Sequence, residues 1–165
     1  MTSEPRLEHR SEQPCVAIRA QVTMAQIAHT CPPLIGEVFA WLGAHGAAPA
    51  GPVFFRYVIV EMDGQLEIDV GVPVSGRLPH GDERVRADVL PGGRYATLRH
   101  TGPYTGLREA TGQLLEWGSR QGPQWQASPD QQHWAARIEW YPTDPMEEPD
   151  ERKWVAEIAM LVRGT

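Results

Sequence analysis

Glu157 is the residue whose setting first suggests chemistry. It lies in KWVAEIAMLV, residues 153–162, with Val155, Ala159 and Leu161 on its own face at period two and Trp154, Ala156, Ile158, Met160 and Val162 on the other. A strand apolar on both faces is expected to be covered on both. A carboxylate there loses its hydration and must be protonated, paired or held for a cation. An ion pair with Arg137 or Arg56 is the ordinary alternative. Glu139 in ARIEWY shares a face with Arg137 and Tyr141 and is a second candidate, for which a cross-strand salt bridge is the plainer explanation. Asp69 and Glu67 fall on the polar face of their strand and read as solvated or paired.

Phe54, Phe55, Tyr57, Trp134, Trp140, Tyr141 and Trp154 all fall on predicted strands, where most rings are core. Phe55 and Tyr57 share one face and Phe54 takes the other. Rings around one desolvated acid suit a flat hydrophobic cation, through stacking, cation–π attraction and charge neutralisation at one point. His100 could serve as a general base, but with no Ser or Cys nucleophile motif beside it a structural role is expected. GxSxG, P-loop and GxGxxG patterns are absent, and PGGRY reads as a turn because no helix follows it directly. Cys15 and Cys31 form no CxxC and no Cys/His cluster, so neither a metal nor another cofactor is expected. They read as reduced, buried thiols.

The elements that must position these groups follow from periodicity and punctuation. Residues 1–12 are polar and aperiodic and read as a flexible arm. Strands are expected at 14–22, 53–60 and 66–74, the last with Leu66, Ile68, Val70, Val72 and Val74 on one face, and a hairpin turn at Asp63-Gly64. A helix over 34–45 is expected to start at Cys31-Pro32-Pro33, with Leu34, Val38 and Trp41 on its apolar stripe beside Ile35, Phe39 and Leu42. Residues 75–83 are punctuation between halves. Strands VRADVLP and RYATLRH then flank a Pro-Gly-Gly turn, and Gly102-Pro103 opens a second helix with Leu107, Ala110, Leu114 and Trp117 in phase. A long polar loop over 121–133 precedes strands at 133–141 and 153–162. The order strand, helix, strand, strand thus occurs twice, and aligning Val74 with Val162 sets Asp69 opposite Glu157. This is the pattern of a duplicated α+β domain, two β-α-β-β halves with helix-backed antiparallel sheets.

Bulk properties narrow the function. The 165 residues carry 15 Lys and Arg against 21 Asp and Glu, a net charge of −6, which disfavours direct nucleic-acid binding and adhesion to an anionic membrane surface. The chain shows no signal-peptide core and no apolar run near the ~18 residues of a membrane span, so a cytoplasmic location is expected. Oligomeric state is not legible.

LEIDVGVPV, LPGGRYATLRHTGPYTGLREATGQLLEW, IEWYPTDP and WVAEIAML, together spanning most of residues 14–162, resemble the GyrI-like small-molecule-binding domains, which include the effector-binding domains of AraC-type and MerR-type multidrug-responsive activators. The G-x-Y-A-x-x-x-H-x-G-x-Y pattern over residues 93–104 and the closing tryptophan-to-AEI segment carry the likeness. The resemblance implies a single domain over 13–165 in two SHS2-like halves, about 13–76 and 84–163, whose two sheets and two helices surround a central cleft. It implies that Glu157, on the last strand, engages lipophilic aromatic or cationic compounds. Tyr57 and Trp140 or Tyr141 are then the aromatic walls, and Phe55, Glu139 and Tyr104 complete the expected binding site. Some stand-alone GyrI-like proteins look like hydrolases of cyclopropane-bearing genotoxins, for which Glu157 would be the catalytic residue. A cleft for a protein partner is the third alternative. No DNA-binding domain accompanies the likeness, so capture or hydrolysis of a ligand is expected rather than direct transcriptional action.

Overall fold

Burial that alternates along the chain builds most of the molecule. The computed structural model describes residues 1–61, 64–76 and 80–164. In chain order the elements are β1 (Arg6–Arg10), β2 (Gln13–Val22), α1 (Ile27–Ala44), β3 (Val53–Val60), β4 (Leu66–Pro73), β5 (Val85–Leu90), β6 (Gly93–Thr101), α2 (Leu107–Gln121), β7 (Arg137–Tyr141) and β8 (Val155–Leu161). The Asp63-Gly64 turn and part of the 75–83 boundary involve Asp63, Arg77, Leu78 and Pro79, which lie outside the described residues.

The strands form one antiparallel sheet in the order β1-β6-β8-β7-β3-β4-β2-β5. Read outward from its middle, this order is the same path twice: β3-β4-β2-β5 on one side and β7-β8-β6-β1 on the other. The duplication is therefore present as an α+β fold with two helices. The two half-sheets are fused through the β3–β7 ladder, which runs from Val53 opposite Tyr141 to Arg56 opposite Ile138. Joining them leaves neither β3 nor β7 as an open edge with unpaired main-chain donors. In a flat sheet β5 and β6 would lie about 29 Å apart, six steps of ~4.8 Å. Only Pro91 and Gly92 connect them, so the sheet curls.

Three segments differ from the sequence reading. Within the expected arm, residues 6–10 are an edge strand, with Arg6 opposite Thr97 and Arg10 opposite Gly93. An edge strand needs no apolar alternation and is often charged, which is why RLEHR carries no strand signal. Helix α1 begins ahead of the prolines and holds Pro32 and Pro33 in its interior. They remove the donors that would meet the Ala28 and His29 carbonyls. The earlier start is favoured because the Gln26 side chain accepts from the Thr23 N–H at 2.9 Å, and because Ile27 and fully buried Cys31 extend the stripe of Leu34 and Val38. The third segment, 121–133, is not simply polar loop: Trp125 is buried and packs against Trp134 at 6.0 Å between centroids. A β-carbon on Gly118 of α2 would lie 2.1 Å from the Trp125 ring, so only glycine admits this contact. Gly122, at φ 91°, then takes the left-handed turn that ends α2.

Both helices lie on the same face of the sheet, α1 on β2 and β4 and α2 on β6 and β8. The main core forms beneath them, from residues such as Ile18, Ile68, Val70, Leu98, Leu114 and Ile158. A second, smaller core occupies the opposite face, built on Cys15, Phe54, Leu90, Tyr95, Ile138 and Leu161. The central strands β3 and β7 carry no helix directly over them, and that gap positions the site.

Candidate functional site

The gap between α1 and α2 is a cleft of about 1780 Å³, larger than the roughly 300–1,000 Å³ of ordinary small-molecule pockets. Its floor is the helix-bearing face of β3 and β7. Period-two alternation brings Val53, Phe55 and Tyr57 up from β3, and Arg137, Glu139 and Tyr141 up from β7. Ile35 and Phe39 of α1 form one wall and Thr111 and Leu115 of α2 the other. Phe39 is 40% exposed, Met24 38% and Met146 92%, so apolar side chains stand open to water around the cleft.

Glu139 is the polar centre. Its Oε1 accepts hydrogen bonds from Tyr57 Oη at 2.6 Å and from Tyr141 Oη at 2.5 Å. Tyr141 lies two residues along the same face. Tyr57 reaches it diagonally from β3, since Phe55 is the direct Cα partner of Glu139. Among the described residues no hydrogen bond occupies Oε2, and it is not among the buried orphan atoms, so it opens on the cleft. Tyr141 packs edge-on against Phe55 at 4.9 Å and against Tyr104 at 5.2 Å. Tyr104 in turn donates to the Thr143 carbonyl at 2.8 Å, fastening the segment that rims the cleft. Among the described residues the charged side chains lining it are Glu61, Asp130, Glu139 and Asp144 against Arg108 and Arg137, an acidic excess.

Burial, and after it the charge of Glu139 on the same face, raises the Tyr57 and Tyr141 phenols well above their ordinary range. Burial also raises Tyr95 and pushes Tyr104 up to about 12. All four tyrosines of the chain therefore stay neutral as hydrogen-bond donors. In an alkaline titration followed by near-ultraviolet phenolate absorbance, the folded protein should form phenolate at higher pH than the same chain unfolded in denaturant, which titrates at about pH 10. The folded state holds protons there that the unfolded state has lost. The stability these groups contribute is thus intact below about pH 10 and falls as the pH climbs past it. A native titration midpoint near 10 would contradict this packing.

The structure does not bring all the expected site residues together. Phe55, Tyr57, Tyr104, Glu139 and Tyr141 meet in the cleft. Glu157 does not: Ile158 and Ala156 face the helices, and Glu157 points to the opposite face of the sheet. There its Oε1 lies 2.5 Å from Arg10 Nη2. Burial pulls the Arg10 guanidinium down, and its hydrogen bonds and charges with Glu157 and Glu8 more than offset this, leaving it above its ordinary value. The dry carboxylate foreseen on β8 is therefore an ion pair away from the cleft. Asp69, its counterpart in the other half, is paired likewise, with Arg19 Nε at 2.8 Å. Trp140 also lies on the far face, against Phe54 at 5.3 Å, because it alternates with Glu139 and Tyr141. The aromatic wall is Tyr141.

Sequence reasoning named Arg137 only as an ion-pair partner and placed Phe39 in a helix core; both line the cleft. The signal available for Arg137 was three polar groups on one face of a short strand, an arrangement a covered sheet centre tolerates only beside a cavity. His100 is structural, with its ring beneath Gly106 and Nε2 2.9 Å from the Pro103 carbonyl. Among the described residues no group of three His, Cys, Asp or Glu side chains could hold a metal ion, and no helix is long and apolar enough to cross a membrane.

The profile of the GyrI-like small molecule binding domain matches residues 3–163, and the chain belongs to that family. The fold is similar to the crystal structure of the EcmrR C-terminal domain, at 20% identity and a TM-score of 0.79, covering 98% of each chain. It is similar to SAV2435 bound to tetraphenylphosphonium, at 15% identity and a TM-score of 0.70, over 98% of this chain and 95% of that one. A hydrolase from Listeria innocua is a further structural relative, at 13% identity and a TM-score of 0.59, over 97% of this chain and 92% of that one. No curated protein matches the sequence.

Proposed function

We propose that the cleft binds lipophilic aromatic cations of varied shape. Glu139 offsets their charge, and Phe55, Tyr57, Tyr104 and Tyr141 supply the aromatic surface. The observation that carries this reading is the Glu139 carboxylate itself. Two neutral phenols orient one of its oxygens, the other opens on the cleft, and the surrounding walls are largely apolar. A ligand cation that fills the cleft displaces its water and meets the carboxylate and the ring faces together, both interactions being stronger there than in water. Stacking makes little directional demand, and a cleft of about 1780 Å³ leaves room for several ligand shapes. The tetraphenylphosphonium bound by a structural relative has this chemistry.

Calorimetric titration with tetraphenylphosphonium and with its near-isosteric anion tetraphenylborate tests the reading. The cation should bind saturably and the anion at least about tenfold more weakly, a difference of ~1.4 kcal/mol. Equal binding of both, or no saturable binding of the cation, would refute it.

The open Oε2 of Glu139 also favours a second reading, hydrolysis. The carboxylate would take a proton from a water molecule whose oxygen attacks a strained carbon electrophile such as an activated cyclopropane, and the opened ring carbon would then be protonated. More product than protein from excess electrophile would establish turnover, and stoichiometric capture would exclude it.

A further inference from the structure

We infer that the preferred ligands of the cleft are bipolar, carrying an oxyanion such as a carboxylate that sits on Arg137 while their cationic, aromatic part lies at Glu139. The proposal rests on the cleft being a ligand site and adds the second charge its ligands must bear. Arg137 rises from the floor beside Glu139, two residues away on the same face, so the two side chains leave the strand about 7 Å apart. They do not pair with each other: Glu139 Oε1 is occupied by the two phenols, and the Arg137 guanidinium makes no salt bridge or hydrogen bond among the described residues.

What holds the guanidinium is aromatic. Its Cζ lies 4.9 Å from the Trp134 ring centroid and 6.0 Å from that of Tyr57. These contacts leave its hydrogen-bonding capacity untouched, since a ring face accepts charge but not five N–H bonds. None of its nitrogens is an enclosed orphan, so the donors open on the cleft. Burial depresses the Arg137 guanidinium below its ordinary value, and the charge of Glu139 opposes this only in part. Elsewhere the protein matches its half-buried arginines with carboxylates, Arg10 with Glu157 and Arg19 with Asp69. Arg137 alone among these faces the cleft, beside the Trp134 and Tyr57 rings and without a carboxylate partner among the described residues. A guanidinium so placed presents the planar fork that a carboxylate occupies with two hydrogen bonds.

Rhodamine 110, a xanthylium cation with a free carboxylate, and rhodamine 123, its methyl ester, differ only in the oxyanion. Fluorescence anisotropy titrations of both dyes against wild type and Arg137→Gln separate the possibilities. Wild type should bind rhodamine 110 about tenfold or more tightly than rhodamine 123, the value of one charge-assisted bidentate contact. Arg137→Gln should bring the two within about twofold. Equal affinities in wild type, tighter binding of the ester, or an unchanged ratio in Arg137→Gln would overturn the proposal. The wild-type ratio decides by itself if the variant does not fold. If both dyes and tetraphenylphosphonium fail to bind wild type, the reading of the cleft as a cation site falls as well. If rhodamine 123 and tetraphenylphosphonium bind without a carboxylate preference, only the Arg137 assignment falls.

Discussion

Glu139→Gln should weaken tetraphenylphosphonium binding by about 1–3 kcal/mol, roughly 5- to 150-fold in Kd, while leaving the fold intact. Glutamine keeps the volume of the side chain and an amide oxygen that can still accept from Tyr57 and Tyr141, so the floor of the cleft stays organised. Only the charge is lost, and the charge is what a desolvated cation needs. The matching control is Glu157→Gln, which should leave ligand affinity within about twofold. Its cost is stability instead, because Arg10 loses one of its two carboxylate partners on the far face of the sheet and keeps only Glu8. Calorimetric titrations of the two variants therefore separate the two carboxylates. A loss of affinity in Glu157→Gln with none in Glu139→Gln would reverse the assignment.

Phe54→Ala should destabilise the protein by about 3–5 kcal/mol, the usual cost of removing a buried aromatic ring. Phe54 is fully buried and anchors the smaller core, where Trp140 packs against it at 5.3 Å. No helix covers that face, so few neighbours can collapse into the cavity. For a domain of this size the loss corresponds to a melting temperature lower by about 6–20 °C, measurable by differential scanning calorimetry. The ring also backs the strand that presents Phe55 and Tyr57 to the cleft, so stability and site geometry share this side chain. A loss below about 1 kcal/mol would show that the second core contributes little.

The duplicated order of elements was legible because each half repeats one helix stripe and one alternating strand, most clearly at Leu66 to Val74. Glu139, Arg137 and Tyr141 could be placed on a common face for the same reason. The choice of carboxylate could not be read this way. Residues 155–161 are apolar on both faces, so parity alone does not say which face the helices cover. The partner that neutralises Glu157 lies 147 residues earlier, in an edge strand without hydrophobic alternation. Pairing between β3 and β7 is likewise a long-range event, and it is this pairing that puts Phe55 opposite Glu139 and Tyr57 within reach of its carboxylate. The prolines of α1 misplace its start because a local rule about donors was overridden by burial of Ile27 and Cys31.

A crystal structure of the protein with tetraphenylphosphonium is the most direct measurement. The phosphonium should lie between α1 and α2 with phenyl groups against Phe55, Tyr57 and Tyr141, and Glu139 should be the carboxylate nearest the phosphorus. Density for the cation beside Glu157 and Arg10, or outside the cleft altogether, would contradict the account.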